Sequence, residues 1–404
     1  MPVKKKKGLF FSLPSHGVNN TLSPFLDLIA LEEYDIICYN TSEFSPEGHK
    51  EYRFIEYPKY FKGNYANKID ESTSYFEFGH ILLDTSIDLV DFLISESERE
   101  KPDFILHSHL AVWGKLLAQY LRIPSFTLFS TFVLDKRIML PFFRELESNE
   151  KKSLRKNVDD GLSFYLKRLK LYQLFRLKNK NIDIWDIYVN KGDLNVSFIL
   201  PCFQPQIEIF GNEYEFVGFP RKLDVAHVSR NKEDLIYISM GTITSNTICF
   251  FKDCITAFKG FHGKCIISIG RATDRKKLGM IPENIQVVQY ANQQELLSKA
   301  KLFITHGGMA SIHEAVYSQT PMIVIPVIPE QKLNARTVED LGMGIHISLK
   351  SFSSKLLLKE TIHILDHREH YVKNIKSHSK ETLPKSPQVM ALEAIDSFFA
   401  RKKE

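Results

Sequence analysis

Short apolar runs alternate with helical stretches along most of this chain, in two separate series. The runs 9–13, 35–39, 54–57, 104–107 and 126–129 read as buried strands, with helical patterns such as 75–95 and 111–121 between them. After a polar stretch the series restarts with 235–239, 266–269, 285–288, 302–305 and 322–326. Strands apolar on both faces belong in a parallel sheet, because parallel neighbours need crossover connections whose helices cover the sheet above and below. The expected fold class is α/β, with two doubly wound, Rossmann-like domains. The join falls at 219–234, which holds Pro220 and four basic residues without apolar periodicity. The organisation expected is an N-terminal domain over 1–219, a linker over 220–234 and a C-terminal domain over 235–385. A last helix after Pro387, roughly 389–401 within 386–404, is expected to pack back on the N-terminal domain.

Charge and cysteine usage narrow the functional classes. Lys and Arg total 53 against 48 Asp and Glu, a net charge of +5 over 404 residues. That excess is too mild for a dedicated nucleic-acid binder. No stretch reaches 18 uninterrupted apolar residues, so no membrane-spanning helix is expected. Lys4 to Lys7 precede an apolar run too short for a signal peptide, and they read as a lysine tail feeding the first strand. The five cysteines, Cys38, Cys202, Cys249, Cys254 and Cys265, are scattered without a CxxC. This speaks against a disulfide scaffold or a cysteine zinc site and fits a reducing cytoplasm, the expected location. One segment departs from the alternation: 144–180 carries eleven Lys or Arg among apolar residues. It reads as a helical insertion with a solvated charged face, or as a basic amphipathic surface for peripheral contact with a membrane or an acidic partner.

The most informative stretch is Ile304-Thr305-His306-Gly307-Gly308-Met309-Ala310-Ser311-Ile312-His313-Glu314-Ala315. A buried strand ends at His306, two glycines make a tight turn, and a helix is expected to start near Ser311. Glycines let a ligand approach the backbone, and the free N–H groups and positive dipole end of the helix make an anion site. Ser311-x-x-Glu314 is also a capping box, in which Glu314 serves only the helix start.

Around this turn the sequence resembles a family. Tyr290-Ala291-Asn292-Gln293, then Glu295-Leu296-Leu297, the HGGMAS turn, Pro321-Met322, Pro326 and Glu330-Gln331-Lys332-Leu333-Asn334-Ala335 look like the donor signature of GT-B nucleotide-sugar glycosyltransferases, of the macrolide and UDP-glycosyltransferase group. The turn Ser239-Met240-Gly241-Thr242 also resembles that family. The resemblance implies the GT-B architecture, with an acceptor domain, a donor domain and a cleft between them. It implies that Gly241 and Thr242 line the donor site, that Tyr290 stacks on the nucleobase and that Gln293 bonds base or ribose. His306 and the turn of Gly308, Met309, Ala310 and Ser311 would hold the diphosphate. Glu314 would take ribose hydroxyls, and Glu330 and Gln331 would bond the sugar; the family usually has aspartate where Glu330 stands.

On the acceptor side, inverting transfer needs a base for the acceptor's proton, and histidine suits that task. His16 lies in the loop after the first strand, where the family's catalytic histidine is found, although this chain reads HGVNN rather than GHxNP. The family's second catalytic residue is an aspartate after the strand that here reads Pro102-Asp103-Phe104-Ile105-Leu106-His107-Ser108-His109, and Ser108 occupies its place. Either Ser108 or His109 is expected to do a weaker version of that work, or catalysis leans on His16 and the leaving group alone.

No metal is expected: a His107-x-His109 pair lacks a third ligand, and no DxD triplet occurs. GxGxxG, Walker A, GxSxG and HExxH are absent too, against dinucleotide oxidoreductases, P-loop NTPases, serine hydrolases and zincins. The reading is a metal-independent, inverting glycosyltransferase, monomeric or homodimeric. Its donor substrate would be a nucleotide sugar, UDP-linked, with no other cofactor, and its acceptor a small apolar molecule with a nucleophilic hydroxyl. The rivals are a catalytically degenerate GT-B binding protein and a membrane-surface lipid glycosyltransferase.

Overall fold

The computed structural model describes residues 5–32, 34–45, 51–59, 61, 75–138, 154–177, 186–220, 232–241, 248–270, 273–379 and 385–402. The chain divides into two compact units, residues 1–220 with 383–404, and residues 221–382. Most of the linker expected at 220–234 lies outside the described residues.

Among the described residues, unit 1 holds seven strands: β1 (Lys6–Phe11), β2 (Tyr34–Asn40), β3 (Arg53–Glu56), β4 (Phe104–Ser108), β5 (Ser125–Phe129), β6 (Leu194–Ser197) and β7 (Tyr214–Phe216). They form one all-parallel sheet in the order β3-β2-β1-β4-β5-β6-β7. Side chains alternate across a strand, so β1 feeds two cores. Leu9 and Phe11 join Trp113 and Leu117 on one face, whereas Phe10 joins Leu106, Phe126 and Ile29 on the other. Helices α1 (His16–Leu31), α2 (Tyr75–Glu100) and α3 (Val112–Leu121) supply the covering layers.

The basic insertion resolves into helix α4 (Leu154–Leu174), which packs along α2; residues 139–153 and 178–185 are outside the description. Phe164, Leu171, Tyr172 and Phe175 turn inward, while Leu162, Tyr165 and Leu166 stay exposed. Not every charge is on a solvated face, because Arg168 is 1% exposed. Its guanidinium shares Asp186, the first residue of α5 (Asp186–Val189), with the ammonium of Lys115, at 3.4 Å and 2.6 Å. Asp186→Asn would leave two interior cations without a counter-charge. We expect it to cost about 3 kcal/mol, read as a lower urea midpoint for unit 1, since orphaning a buried charge is far costlier than losing a surface pair.

Unit 2 contains β8 (Glu233–Ser239), α6 (Ile248–Phe258), β9 (Lys264–Ser268), β10 (Ile285–Val288), α7 (Gln293–Lys299), β11 (Ala300–Thr305), α8 (Met309–Tyr317), β12 (Met322–Val324), α9 (Pro329–Asp340), β13 (Gly344–His346), α10 (Ser354–Asp366) and α11 (Arg368–Ser379). Its sheet is again all parallel, in the order β10-β9-β8-β11-β12-β13. The last helix, α12 (Pro387–Arg401), is built into unit 1. Ala391 and Ile395 are fully buried there, Tyr34 donates to Asp396 at 2.5 Å, and Phe398 and Phe399 edge onto Phe126. Among the described residues, no helix is long and apolar enough to cross a membrane.

Candidate functional site

In unit 2 the strand order reverses between β8 and β11, so the loops leaving their carboxyl ends diverge and open a crevice, the usual ligand position in such sheets. Gly241 follows β8 with φ +72°, and His306, Gly307 and Gly308 follow β11. A Cβ on Gly241 would come within 2.7 Å of His306 Cε1, and one on Gly308 within 2.7 Å of Nε2. Both turns close on the imidazole only because they lack side chains. Gly307, at φ +84°, has its carbonyl held by the buried Asn334 amide at 3.0 Å, which pins the turn from behind. His306 is buried, and burial pushes its ring down to about 4 against an opposing pull from the Ser239 backbone. The ring is therefore neutral at neutral pH.

Helix α8 begins at Met309, with Gly308 as its cap residue in an extended conformation. The expected start near Ser311 is two residues late, because Met309 and Ala310 are good helix formers that continue the helix back to the glycine. Ser311 thus sits inside the first turn, and the capping-box reading of Ser311 and Glu314 falls. Ile312 N–H already returns to the Gly308 carbonyl at 3.1 Å. The N–H groups of Met309, Ala310 and Ser311 precede the first intrahelical bond and so have no partner within the helix. The Met309 side chain is buried, so its contribution there is its backbone.

The structure brings Gln293, Ser311 and Glu314 together. Gln293 Nε2 donates to Glu314 Oε2 at 2.6 Å and to Ser311 Oγ at 3.1 Å, and Gln294 Nε2 donates to Glu314 Oε1 at 3.1 Å. Glu314 is thus the acceptor that draws both glutamine amides together. Gln294 was not singled out from the sequence; its neighbour Gln293 at the start of α7 was the only hint. Tyr290, just beyond β10, has a half-exposed ring. Gln331 is 3% exposed, and its Oε1 accepts from the Val327 and Ile328 amides at 2.9 and 3.2 Å. Its carbonyl is committed to starting α9, which leaves Nε2 as the group able to meet a sugar. Glu330 is partly buried in the same first turn. Thr242 lies outside the described residues.

Unit 1 has the same reversal between β1 and β4, and the acceptor-side candidates stand at those two strand ends. His16 is the first residue of α1. The loop before it is tied by Asn19, whose amide donates to the Leu13 and Ser15 carbonyls at 2.7 Å each, while Asn40 donates to Asn19 Oδ1. His16 Nε2 lies 3.3 Å from Glu43 Oε1, in the short 3-10 turn Ser42–Phe44 after β2. Its ring meets Phe44 edge-on at 5.0 Å. Asn19 and Glu43 were both missed in the sequence.

Ser108 and His109, the expected partners of His16, are placed differently. Ser108 is fully buried with an unpartnered Oγ, and His109 stacks on Phe129 at 5.5 Å with Nδ1 unpartnered. Burial pushes His109 down to about 4. Among the described residues, no hydrogen bond joins either to His16. His107 faces another network, with Thr127 at 3.4 Å and the Ser108 carbonyl at 3.2 Å. Asp103 accepts the Lys7 N–H at 2.8 Å, at the opposite end of the strand. Among the described residues, no three His, Cys, Asp or Glu side chains cluster closely enough to hold a metal.

Comparison with known proteins adds what geometry alone does not. The family described as UDP-glucoronosyl and UDP-glucosyl transferase matches residues 220–388. An uncharacterized UDP-glucosyltransferase of Bacillus subtilis, YojK, is 32% identical over 332 residues, covering 80% of each chain. The crystal structure of the kitacinnamycin glycosyltransferase superposes with a TM-score of 0.81 at 19% identity, covering 98% of this chain and 99% of that one. CalG4, the calicheamicin glycosyltransferase, gives 0.79 at 18% identity over 99% of both. Two parallel sheets with flanking helices and these neighbours make the fold GT-B. Given the match to the family and a relative of this identity along four-fifths of the chain, the protein belongs to the UDP-glycosyltransferase family and is a glycosyltransferase.

Proposed function

We propose that the protein transfers a hexose from a UDP-sugar to a hydroxyl of a small, largely apolar acceptor, with inversion and without a metal. The observation that carries this reading is the His306 imidazole clasped by Gly241 and Gly308 at the N-terminus of α8. The N-terminus of α8, with its helix dipole and the unbonded N–H groups of its first turn, adjoins that imidazole and suits the leaving diphosphate, where charge gathers. Gln293, Ser311 and Glu314 supply the polar edge suited to a ribose, and Tyr290 an aromatic face for a base. The acceptor oxygen attacks the anomeric carbon as His16 takes its proton, and the bond to the diphosphate breaks with its electron pair leaving on phosphate oxygen. The natural-product names of both structural neighbours support an acceptor of that kind.

The test is turnover of UDP-glucose and other nucleotide sugars with a panel of hydroxylated aromatic acceptors, read by mass spectrometry. An α-donor giving a β-product at a rate indifferent to EDTA is the expected result. Retention of configuration, or a rate that collapses in EDTA and returns with Mg²⁺, overturns the corresponding part of the reading. UDP binding without any transfer favours the binding-protein alternative.

His306→Ala isolates the donor site. It removes one hydrogen bond to a charged ligand, worth ~1.5–3 kcal/mol, so UDP affinity should fall about ten- to a hundredfold. Calorimetry with UDP measures it, and unchanged affinity would sink the assignment.

A further inference from the structure

The family's carboxylate position holds Ser108, which is fully buried with an unpartnered Oγ and makes no hydrogen bond to His16. A carboxylate does reach the imidazole, from a different strand end: Glu43 Oε1 stands 3.3 Å from His16 Nε2. We infer that Glu43 is the positioning and charge-stabilising partner of His16 in the transfer reaction, in place of a carboxylate after β4. The inference rests on the reading of His16 as the base.

Two contacts define the ring's orientation. Glu43 Oε1 stands 3.3 Å from Nε2 on one side, and Phe44, the next residue, packs edge-on at 5.0 Å. Both come from one short turn, Ser42–Phe44, so a single element holds the imidazole. A proton on Nε2 is favoured by the facing carboxylate, and the neutral ring then presents the Nδ1 lone pair to the acceptor. The acceptor's proton passes to Nδ1 as its oxygen bonds to the anomeric carbon. The imidazolium then lies against an anion, and the proton is later released to solvent. A serine hydroxyl could offer only a dipole to that cation, whereas Glu43 offers a full charge.

The pair is also open to water, with side-chain exposures of 55% for His16 and 58% for Glu43. This distinguishes it from a buried dyad in two ways. Its contribution is moderate, since exposed ion pairs are weakened by solvent. It is also screened by salt, whose Debye length falls below 5 Å at about 0.5 M.

The experiment is a double-mutant cycle with UDP-glucose and a hydroxylated aromatic acceptor, using Glu43→Gln, Glu43→Asp, His16→Ala and the double variant Glu43→Gln/His16→Ala. Glu43→Gln should lower kcat about tenfold with UDP affinity unchanged, because a full charge facing the imidazolium is replaced by a dipole. Glu43→Asp should recover most of that loss. In the His16→Ala background the Gln substitution should have no further effect, because its only route to the reaction is the missing ring. Raising the salt should slow the wild type toward Glu43→Gln and leave that variant nearly unchanged. Full kcat in Glu43→Gln, or losses that multiply in the double variant, overturns the inference while leaving His16 as base. Full activity of His16→Ala overturns the reading of the base itself, and the inference with it.

Discussion

His16→Ala is expected to reduce turnover by about 10²–10⁴ while UDP binding stays unchanged, the range over which a positioned general base accelerates proton transfer. The substitution is structurally mild. His16 is exposed at the first position of α1, and its side-chain contacts are Glu43 and Phe44 at the surface. The loop that presents it is held by Asn19 and Asn40, which the substitution leaves intact. The proposed donor contacts come from Gly241, Gln293, the His306 turn and Glu314, all in unit 2. An alanine at 16 should therefore lower kcat and kcat/KM together, the mark of an interaction made only in the transition state. Steady-state kinetics with saturating donor, beside calorimetry with UDP, separates the two quantities. If turnover survives, the base lies elsewhere. His109 is the next residue at the same switch point, although its ring is stacked on Phe129 and buried.

The residues themselves explain which parts of this picture were legible in the sequence. Central strands such as β1, β4, β8 and β11 are buried on both faces and read as plain apolar runs. β6 was missed although all four of its residues are buried, because Asn195 and Ser197 interrupt the apolar run. Asn195 is content in the interior: its amide closes on Gly192 and the Glu213 carbonyl. β7 and β13 are three-residue edge strands, too short to show any period. The donor turn was legible because strand, two glycines and helix are contiguous, so local chemistry dictates the geometry. The surroundings of His16 were not. Glu43 is 27 residues away from it on another strand end, and only the pairing of β1 with β2 brings the two loops together. Likewise no pattern marks Arg168, one of eleven Lys and Arg in its segment, as buried.

Acid should destabilise this protein before most of its carboxylates titrate. Among the described residues, four histidines are buried with their charged form disfavoured. Burial pushes His107 down to about 3, the Ser108 carbonyl opposing, and His109 to about 4. It pushes His306 and His313 to about 4, with the Ser239 and Met309 backbones pulling the other way. In the unfolded chain each would titrate near 6.5. Between pH 6.5 and about 4 the unfolded state therefore binds protons that the folded state refuses, and stability must fall as the pH falls. Above 6.5 these rings contribute no slope. Each unit pH below that value costs about 1.4 kcal/mol per histidine, so by pH 5 each ring has removed roughly 2 kcal/mol. Each unit carries two such rings, a loss of about 4 kcal/mol per unit from a total of typically 5–15. Glu100 works in a lower window: Arg53 hydrogen-bonding holds it down to about 2, so its contribution is lost only below about 4.5. Urea unfolding followed at pH 7, 6 and 5 reads the effect as a falling midpoint. His313→Gln, at a fully buried position whose ring lies 2.8 Å from the Met309 carbonyl, should flatten the slope for unit 2 alone. A midpoint that holds steady from pH 7 to pH 5 would mean that these rings accept protons in the folded state.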